Sequence, residues 1–342
     1  MDMIDKIKLM AENFNPDFIK ENFRWREIEI DDEEFTELDF ELNRYLQTNI
    51  TKKSKMFSLR MLLTENLRTG TYSLSINGSI RKWYFDKNSR KDLNYYEFID
   101  CIEILGCKLG LKKGEIWRMF KVTQLEIGIT LLLKSFTNDI LDCFVKYRNA
   151  KRDDKNVTSV YFRFTNYDLL IYDKYLEILG KKELTKTDKR IISKYLMLRF
   201  EIDINKVSIP IFKMKYHKLS SLKSNWNELP NELYKYLNAI KFVDTISKKE
   251  VINENNKPKI SKNDFINWSF YSYMKITGIH KTIMDFNEMV LPNNKSKHFN
   301  DIMNIYKSHI ISERDYKAII LYELKKKTDR LYNKGNFRYI NT

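Results

Sequence analysis

Tyr172 and Lys174 stand two residues apart in the apolar run LLIYDK, and in an extended segment that spacing sends both side chains to the same side. Two other runs repeat the pattern. In KVTQLEIGITLLL, residues 121–133, Leu125, Ile127 and Ile129 face one way while Gln124, Glu126, Gly128 and Thr130 face the other. In YLMLRFEIDI, residues 195–204, Leu198, Phe200, Ile202 and Ile204 form an apolar side, and Arg199, Glu201 and Asp203 a polar one. Should these polar sides share one surface, the carboxylates of Glu126, Glu201 and Asp203 can hold a hard divalent cation, which prefers oxygen ligands and keeps several waters. A phenol beside such a cation loses its proton more easily and can attack a phosphodiester, leaving a phosphotyrosine link. The ordinary wet side of a half-buried sheet has the same spacing, and Tyr161, Tyr167 and Tyr175 lie close enough to Tyr172 to compete for the nucleophile's role. The histidines His217, His280, His298 and His309 are dispersed without a His-x-His pair, which argues against a histidine-ligated metal.

The elements that must position these residues can be read along the chain. MIDKIKLM reads as a first strand. Residues 56–67 and 71–85 read as paired strands joined near Arg68-Thr69-Gly70, with a turn or bulge at Asn77-Gly78. The second of them ends in a basic and aromatic cluster, Arg81, Lys82, Trp83 and Tyr84. Cations for phosphates and rings for bases are what a single nucleic-acid strand needs, although a half-buried strand with a basic side has the same residues. Arg163 and Arg199 join Arg81, Lys82 and Trp83 as candidate DNA contacts. A helix is expected within 94–111, stopping at Gly110, and another from an Asn138 cap through Lys146. TSVYFRFTNYDLLIYDK, residues 158–174, reads as a β-hairpin turning at Thr165-Asn166, followed by a helix over 175–180.

Beyond about residue 215 the pattern becomes helical, at roughly 228–247, 262–277, 281–290, 298–311 and 313–334. Ser261 and Ser312 are capping-box-like starts, Gly278 is an expected stop, and residues 250–262 are the most linker-like stretch. The expectation is an α+β fold: an antiparallel or mixed sheet covered by helices on one face over residues 1–215, then an all-helical accessory domain over 216–342.

Composition sets the class of partner. The 342 residues carry a net charge of +15, and residues 1–50 hold 14 Asp/Glu against 6 Lys/Arg, a balance of −8 that leaves +23 for the rest. Such an excess suits a polyanion, because each neutralised phosphate releases counterions. A Lys- and Asn-rich compositional habit would produce the same excess. The acidic stretch Asp31–Glu41 is a solvated segment or a flap that mimics nucleic-acid charge. Cys101, Cys107 and Cys143 are odd in number and lack metal spacing, which points to a reducing compartment. Acidic residues interrupt the start, so no signal peptide is expected, and no apolar run has membrane-spanning length.

The segments MIDKIKL, SINGSIRKWYF, VTQLEIGIT, LLIYDK and LRFEI, in that order over residues 1–205, resemble the phage and plasmid replication proteins of the gene II/X family, which is similar in turn to the rolling-circle replication initiators. The resemblance implies an enzyme that nicks and rejoins one DNA strand at an origin through a tyrosine linked to the 5′ phosphate, assisted by Mg²⁺ or Mn²⁺. It places Tyr172 as nucleophile with Lys174 beside it, and Glu126 and Glu201 as the acidic pair; Asp203, on the same strand as Glu201, is a further candidate metal ligand. Gln124 and Glu126 depart from the arginine and aspartate frequent in the family. The implied partners are single-stranded or origin DNA, host replication proteins such as a helicase, and a second copy of the chain as a homodimer. The implied setting is the cytoplasm of a bacterial host, with no membrane. The competing reading is a non-catalytic DNA-binding replication or copy-control protein with a degenerate site.

Overall fold

Runs that alternate apolar and polar residues gain most by pairing edge to edge and burying one side. In this chain the longest such runs lie at the middle of the sheet. A computed structural model describes residues 3–28, 42–86, 93–134, 136, 138–153, 158–180, 194–243, 262–289, 295–309 and 315–336. β1 (Ile4–Ala11), β2 (Arg26–Glu27), β3 (Asn43–Thr51), β4 (Ser58–Asn66) and β5 (Thr71–Ser79) form one half of a ten-stranded sheet. β6 (Lys121–Lys134), β8 (Lys151–Asp153), β9 (Ser159–Arg163), β10 (Tyr167–Asp173) and β11 (Tyr195–Ile204) complete it. The order is β2-β3-β4-β5-β1-β6-β11-β10-β9-β8, with every neighbouring pair antiparallel. β7 (Phe144–Lys146) pairs separately with β12 (Lys241–Phe242).

One side of the sheet is a continuous apolar core. Leu125, Ile127 and Ile129 of β6, Leu198, Phe200 and Ile202 of β11, Leu169 and Ile171 of β10, and Ile7 and Leu9 of β1 are all buried there. The covering helices include α3 (Tyr95–Lys108), α4 (Ile116–Met119) and a run of short ones, α6 (Pro210–Tyr216), α7 (Leu219–Ser224) and α8 (Leu229–Ala239). α1 (Asp17–Asn22) adds Ile19 to the same core. The α+β reading therefore holds. α3 begins at the full capping box of Asn94 and Glu97 and ends before Gly110, whose φ of +77° suits a residue without a Cβ.

Several local expectations change. The segment 71–85 is not one strand: it stays extended through Asn77 and Gly78 to Ser79, then becomes α2 (Ile80–Phe85). The Ser79 side chain caps that helix by accepting from the Lys82 N–H at 3.2 Å, and Ile80 and Trp83, three apart, both point into the core. The helix expected from Asn138 is a 3₁₀ turn, Asn138–Cys143, leading into β7, because Phe144 and Val145 are taken up by packing against Phe242 and Val243. β3 lies in a stretch not recognised as a strand from its sequence. Asp31–Glu41, Ser261 and Ser312 fall outside the described residues, as does residues 250–261 of the linker-like stretch.

The division expected at residue 215 is not where the packing divides. Tyr216, Leu219, Leu222, Trp226, Leu233 and Leu237 belong to the sheet's own core. So do Ile320 and Leu324 of the last helix, α12 (Tyr316–Asn336), which returns to pack on β6 and α8. Between them α9 (Lys262–Thr277), α10 (Ile279–Met289) and α11 (Lys295–His309) build a second core from Tyr271, Met274, Ile279, Ile302 and Tyr306, joined to Val145 and Val243. No helix among the described residues is long and apolar enough to cross a membrane.

Candidate active site on the polar side of the sheet

Register decides which polar residues meet. β6 and β11 pair so that Thr130 faces Arg199, Gly128 faces Glu201 and Glu126 faces Asp203. β10 pairs on the other edge of β11 with Tyr172 opposite Arg199, Leu170 opposite Glu201 and Asp168 opposite Asp203. The three polar sides therefore form one lattice, and Glu126, Tyr172, Arg199 and Glu201 share one surface.

Gly128 lies at the centre of that lattice for a steric reason. A Cβ there would come within 2.9 Å of Arg199 Nη2 and 2.9 Å of Glu201 Cγ, so the missing side chain lets both lie down over β6. β1 contributes by a bulge. Ile4 pairs with Ile127 and Ile7 with Leu125, so three steps on β1 oppose two on β6, and Asp5 and Lys6 both reach the polar surface. Lys6 Nζ sits 2.9 Å from Glu126 Oε2, and Asp5 takes Arg81 Nη2 at 3.1 Å and the Ser79 hydroxyl. Neither Asp5 nor Lys6 was singled out from the sequence: alternation with Ile7 and Leu9 puts Lys6 among ordinary solvent-facing lysines, and the bulge that turns Asp5 to the same side leaves no local mark.

Arg199 is the hub. Its guanidinium is 1% exposed; Nε donates to Glu201, Nη1 donates to Thr130 Oγ1 at 3.3 Å, and Nη2 lies 3.6 Å from Glu126 Oε1 and 3.8 Å from Asp5 Oδ2. Tyr172 closes the other side: its hydroxyl donates to Glu201 Oε1 at 3.1 Å and accepts from Lys174 Nζ at 3.1 Å. Lys174 opens α5 (Lys174–Gly180) instead of ending β10, and it also pairs with Glu177. Asp5, Lys6, Glu126, Tyr172, Lys174 and Glu201 line a cleft of about 380 Å³ that also includes Lys82, Ser159 and Tyr161, while Arg199 lies buried behind them.

Burial and neighbouring charges shift the protonation of the group. Burial, then the Glu201 carboxylate, raises the Tyr172 phenol far above its ordinary range against the opposing pull of Arg199. Glu126 is pushed up to about 8 by burial and by the Glu201 and Asp5 carboxylates, against Lys6 and Arg199. Burial works to raise Asp5 too, but Arg81, Arg199 and Ser79 together hold it below the usual carboxylate range. Lys174 is lowered by burial and then by Arg199.

The structure sorts the candidate residues unequally. Tyr172, Lys174, Glu126, Glu201 and Arg199 converge. Asp203 is beside them in register, and burial raises its carboxyl. Among the neighbouring tyrosines, Tyr161 lines the cleft, Tyr167 is buried on the opposite side against Phe164 and Phe212, and Tyr175 follows Lys174 in α5. Trp83 is fully buried with its indole N–H donated to the Ile50 carbonyl at 3.1 Å, so it cannot stack on a base. Arg81 and Arg199 are buried in ion pairs and do not present themselves to a DNA backbone. Arg163 is engaged by Asp153 at 3.0 Å and Asp168 at 3.4 Å. Lys82 alone of that set lines the cleft with its side chain partly exposed.

The expected metal ligands do not make a ligand set as they stand. Both oxygens of Glu126 face protein cations, Arg199 and Lys6, and Glu201 Oε1 is taken by Arg199 and Tyr172. Among the described residues no three His, Cys, Asp or Glu side chains converge to hold an ion. The cationic centre of the cluster is Arg199. No protein-family model, curated protein or solved structure matches this chain.

Proposed function

We propose that the protein nicks and rejoins single-stranded DNA as a rolling-circle replication initiator at a phage or plasmid origin, with Tyr172 as nucleophile. The observation that carries the reading is the Tyr172 hydroxyl held 3.1 Å from a carboxylate and 3.1 Å from an ammonium at the wall of a cleft. Such a hydroxyl has a proton acceptor and a charge stabiliser already in place. The net charge of +15 and the ordered resemblance to replication proteins point to the same substrate.

In the forward step Tyr172 Oη bonds to phosphorus as the bond from phosphorus to the 3′ oxygen breaks. The phenolic proton passes to Glu201, and the departing 3′ oxygen takes a proton from water. Because a free phenolate is disfavoured here, proton transfer has to accompany attack, and Glu201 is placed for it. Lys174 offsets negative charge gathering on Oη. Rejoining is the reverse: a 3′ hydroxyl attacks the phosphotyrosine and Tyr172 recovers its proton. Origin DNA is the substrate of this scheme, and a host helicase and a second copy of the chain are its expected partners.

The raised phenol also favours a second reading, a DNA-binding replication or copy-control protein whose site no longer reacts. One experiment separates the two. Full-length protein is incubated with a random-sequence pool of single-stranded DNA, with EDTA or with Mn²⁺, and SDS-resistant adducts are mapped by mass spectrometry. The expected adduct lies on Tyr172 and is absent from Tyr172→Phe. An undiminished adduct in that variant removes Tyr172 as nucleophile, and salt-sensitive binding with no adduct under either condition supports the non-catalytic reading.

A further inference from the structure

The cations around the cleft are not equivalent. Arg81 and Arg199 are buried and committed to Asp5, Glu126 and Glu201, and Lys174 is committed to Tyr172 and Glu177. Lys6 differs: its side chain is 64% exposed, while its partner Glu126 is 4% exposed. One end of this ion pair is anchored in the sheet and the other is a long chain standing in solvent at the cleft wall. Lys6 can exchange its partner without being drawn out of the sheet, because its own chain already stands in solvent. Glu126 is not stranded by the exchange, since Arg199 remains 3.6 Å from its other oxygen.

We propose that Lys6 is the phosphate-gripping cation of the site, held on Glu126 while the cleft is empty and turning to a non-bridging oxygen of a DNA phosphodiester when the strand enters. The inference rests on the reading of the cleft as a phosphodiester-transfer site. It assigns to a fixed side chain the charge that a divalent ion was expected to bring, in keeping with carboxylates already occupied by Arg199 and Lys6. Lys6 reaches the polar side by its alternation with the buried Ile7 and Leu9, and the β1 bulge brings Asp5 to the same side, where it holds Arg81 and leaves Lys6 uncommitted to it.

The test measures binding of a fluorescent oligothymidylate to the full-length chain across a salt series in EDTA, with Tyr172→Phe as background so that no chemistry intervenes. Lys6→Met is expected to weaken binding by about tenfold, the scale of one charge-assisted hydrogen bond. It should also flatten the dependence of log affinity on log salt by about 0.7, one contact on a single strand. Lys6→Arg should restore both, and circular dichroism should show all three proteins folded alike. Unchanged affinity and slope in Lys6→Met would overturn the proposal, and so would binding by the Tyr172→Phe protein that disappears in EDTA and returns with Mn²⁺. The two readings fail differently: Lys6-dependent binding with no tyrosine adduct sinks the transfer chemistry alone, whereas a tyrosine adduct with Lys6-independent binding sinks the role of Lys6 alone.

Discussion

At the scale of single residues, the cluster is a balance of opposite charges in a nearly dry place. Removing one partner of a buried pair leaves the others uncompensated, at about 3–5 kcal/mol. Arg199→Met should therefore lower unfolding stability by about that amount in urea titrations, since three carboxylates lose their shared cation. Glu126 makes a prediction about pH. Its folded value near 8 stands above its ordinary 4.5, so the native state binds more protons than the unfolded state between those values. Its contribution is accordingly most favourable below about pH 4.5 and declines as pH rises to about 8. Urea midpoints measured across that window should fall more steeply with pH in the wild type than in Glu126→Gln. Equal slopes would mean that Glu126 is ionised throughout.

At the scale of elements, the site depends on two backbone features and one cap. A Cβ at residue 128 must push Arg199 and Glu201 off β6. Gly128→Ala should destabilise by about 1–3 kcal/mol, as overpacking does, and should slow adduct formation while leaving oligothymidylate affinity near the wild-type value. Ser79 does two jobs, capping α2 and donating to Asp5. Ser79→Ala is expected to cost about 0.5–2 kcal/mol from the cap alone, with the loss read in thermal melting. That substitution also loosens the carboxylate that orients Arg81, so a loss confined to the lower end of the range would argue against the second job.

At the scale of the whole molecule, the chain closes on itself. α12 comes from the end of the described chain yet buries Ile320 and Leu324 in the same core as β6. Leu324→Ala should behave as a substitution in the heart of the sheet, costing about 2–5 kcal/mol, and hydrogen exchange in β6 should speed up with it. Ile302→Ala, in the separate core of α9, α10 and α11, should instead speed exchange in those helices and leave β6 protected. Matching effects of the two substitutions on β6 would show that the cores are one cooperative unit.

What the sequence determined by itself is the alternation, and with it the strands. β6, β10 and β11 were legible because each buries one side completely, and period-two patterning is the direct imprint of that burial. The same imprint put Glu126, Tyr172, Arg199 and Glu201 on polar sides. Three things depended on contacts between distant segments. Strand order and register brought those polar sides together, and register is a property of pairs of strands. The basic-aromatic run at 81–84 turned inward because Ser79 ends the strand and starts a helix, so Trp83 is core and Arg81 an internal counter-ion. A bulge in β1 then placed Asp5 beside Lys6 and Glu126, where a strict alternation would have separated them. The tyrosine, lysine and carboxylate chosen from spacing stand together in the fold; the charge that surrounds them is a property of the tertiary structure alone.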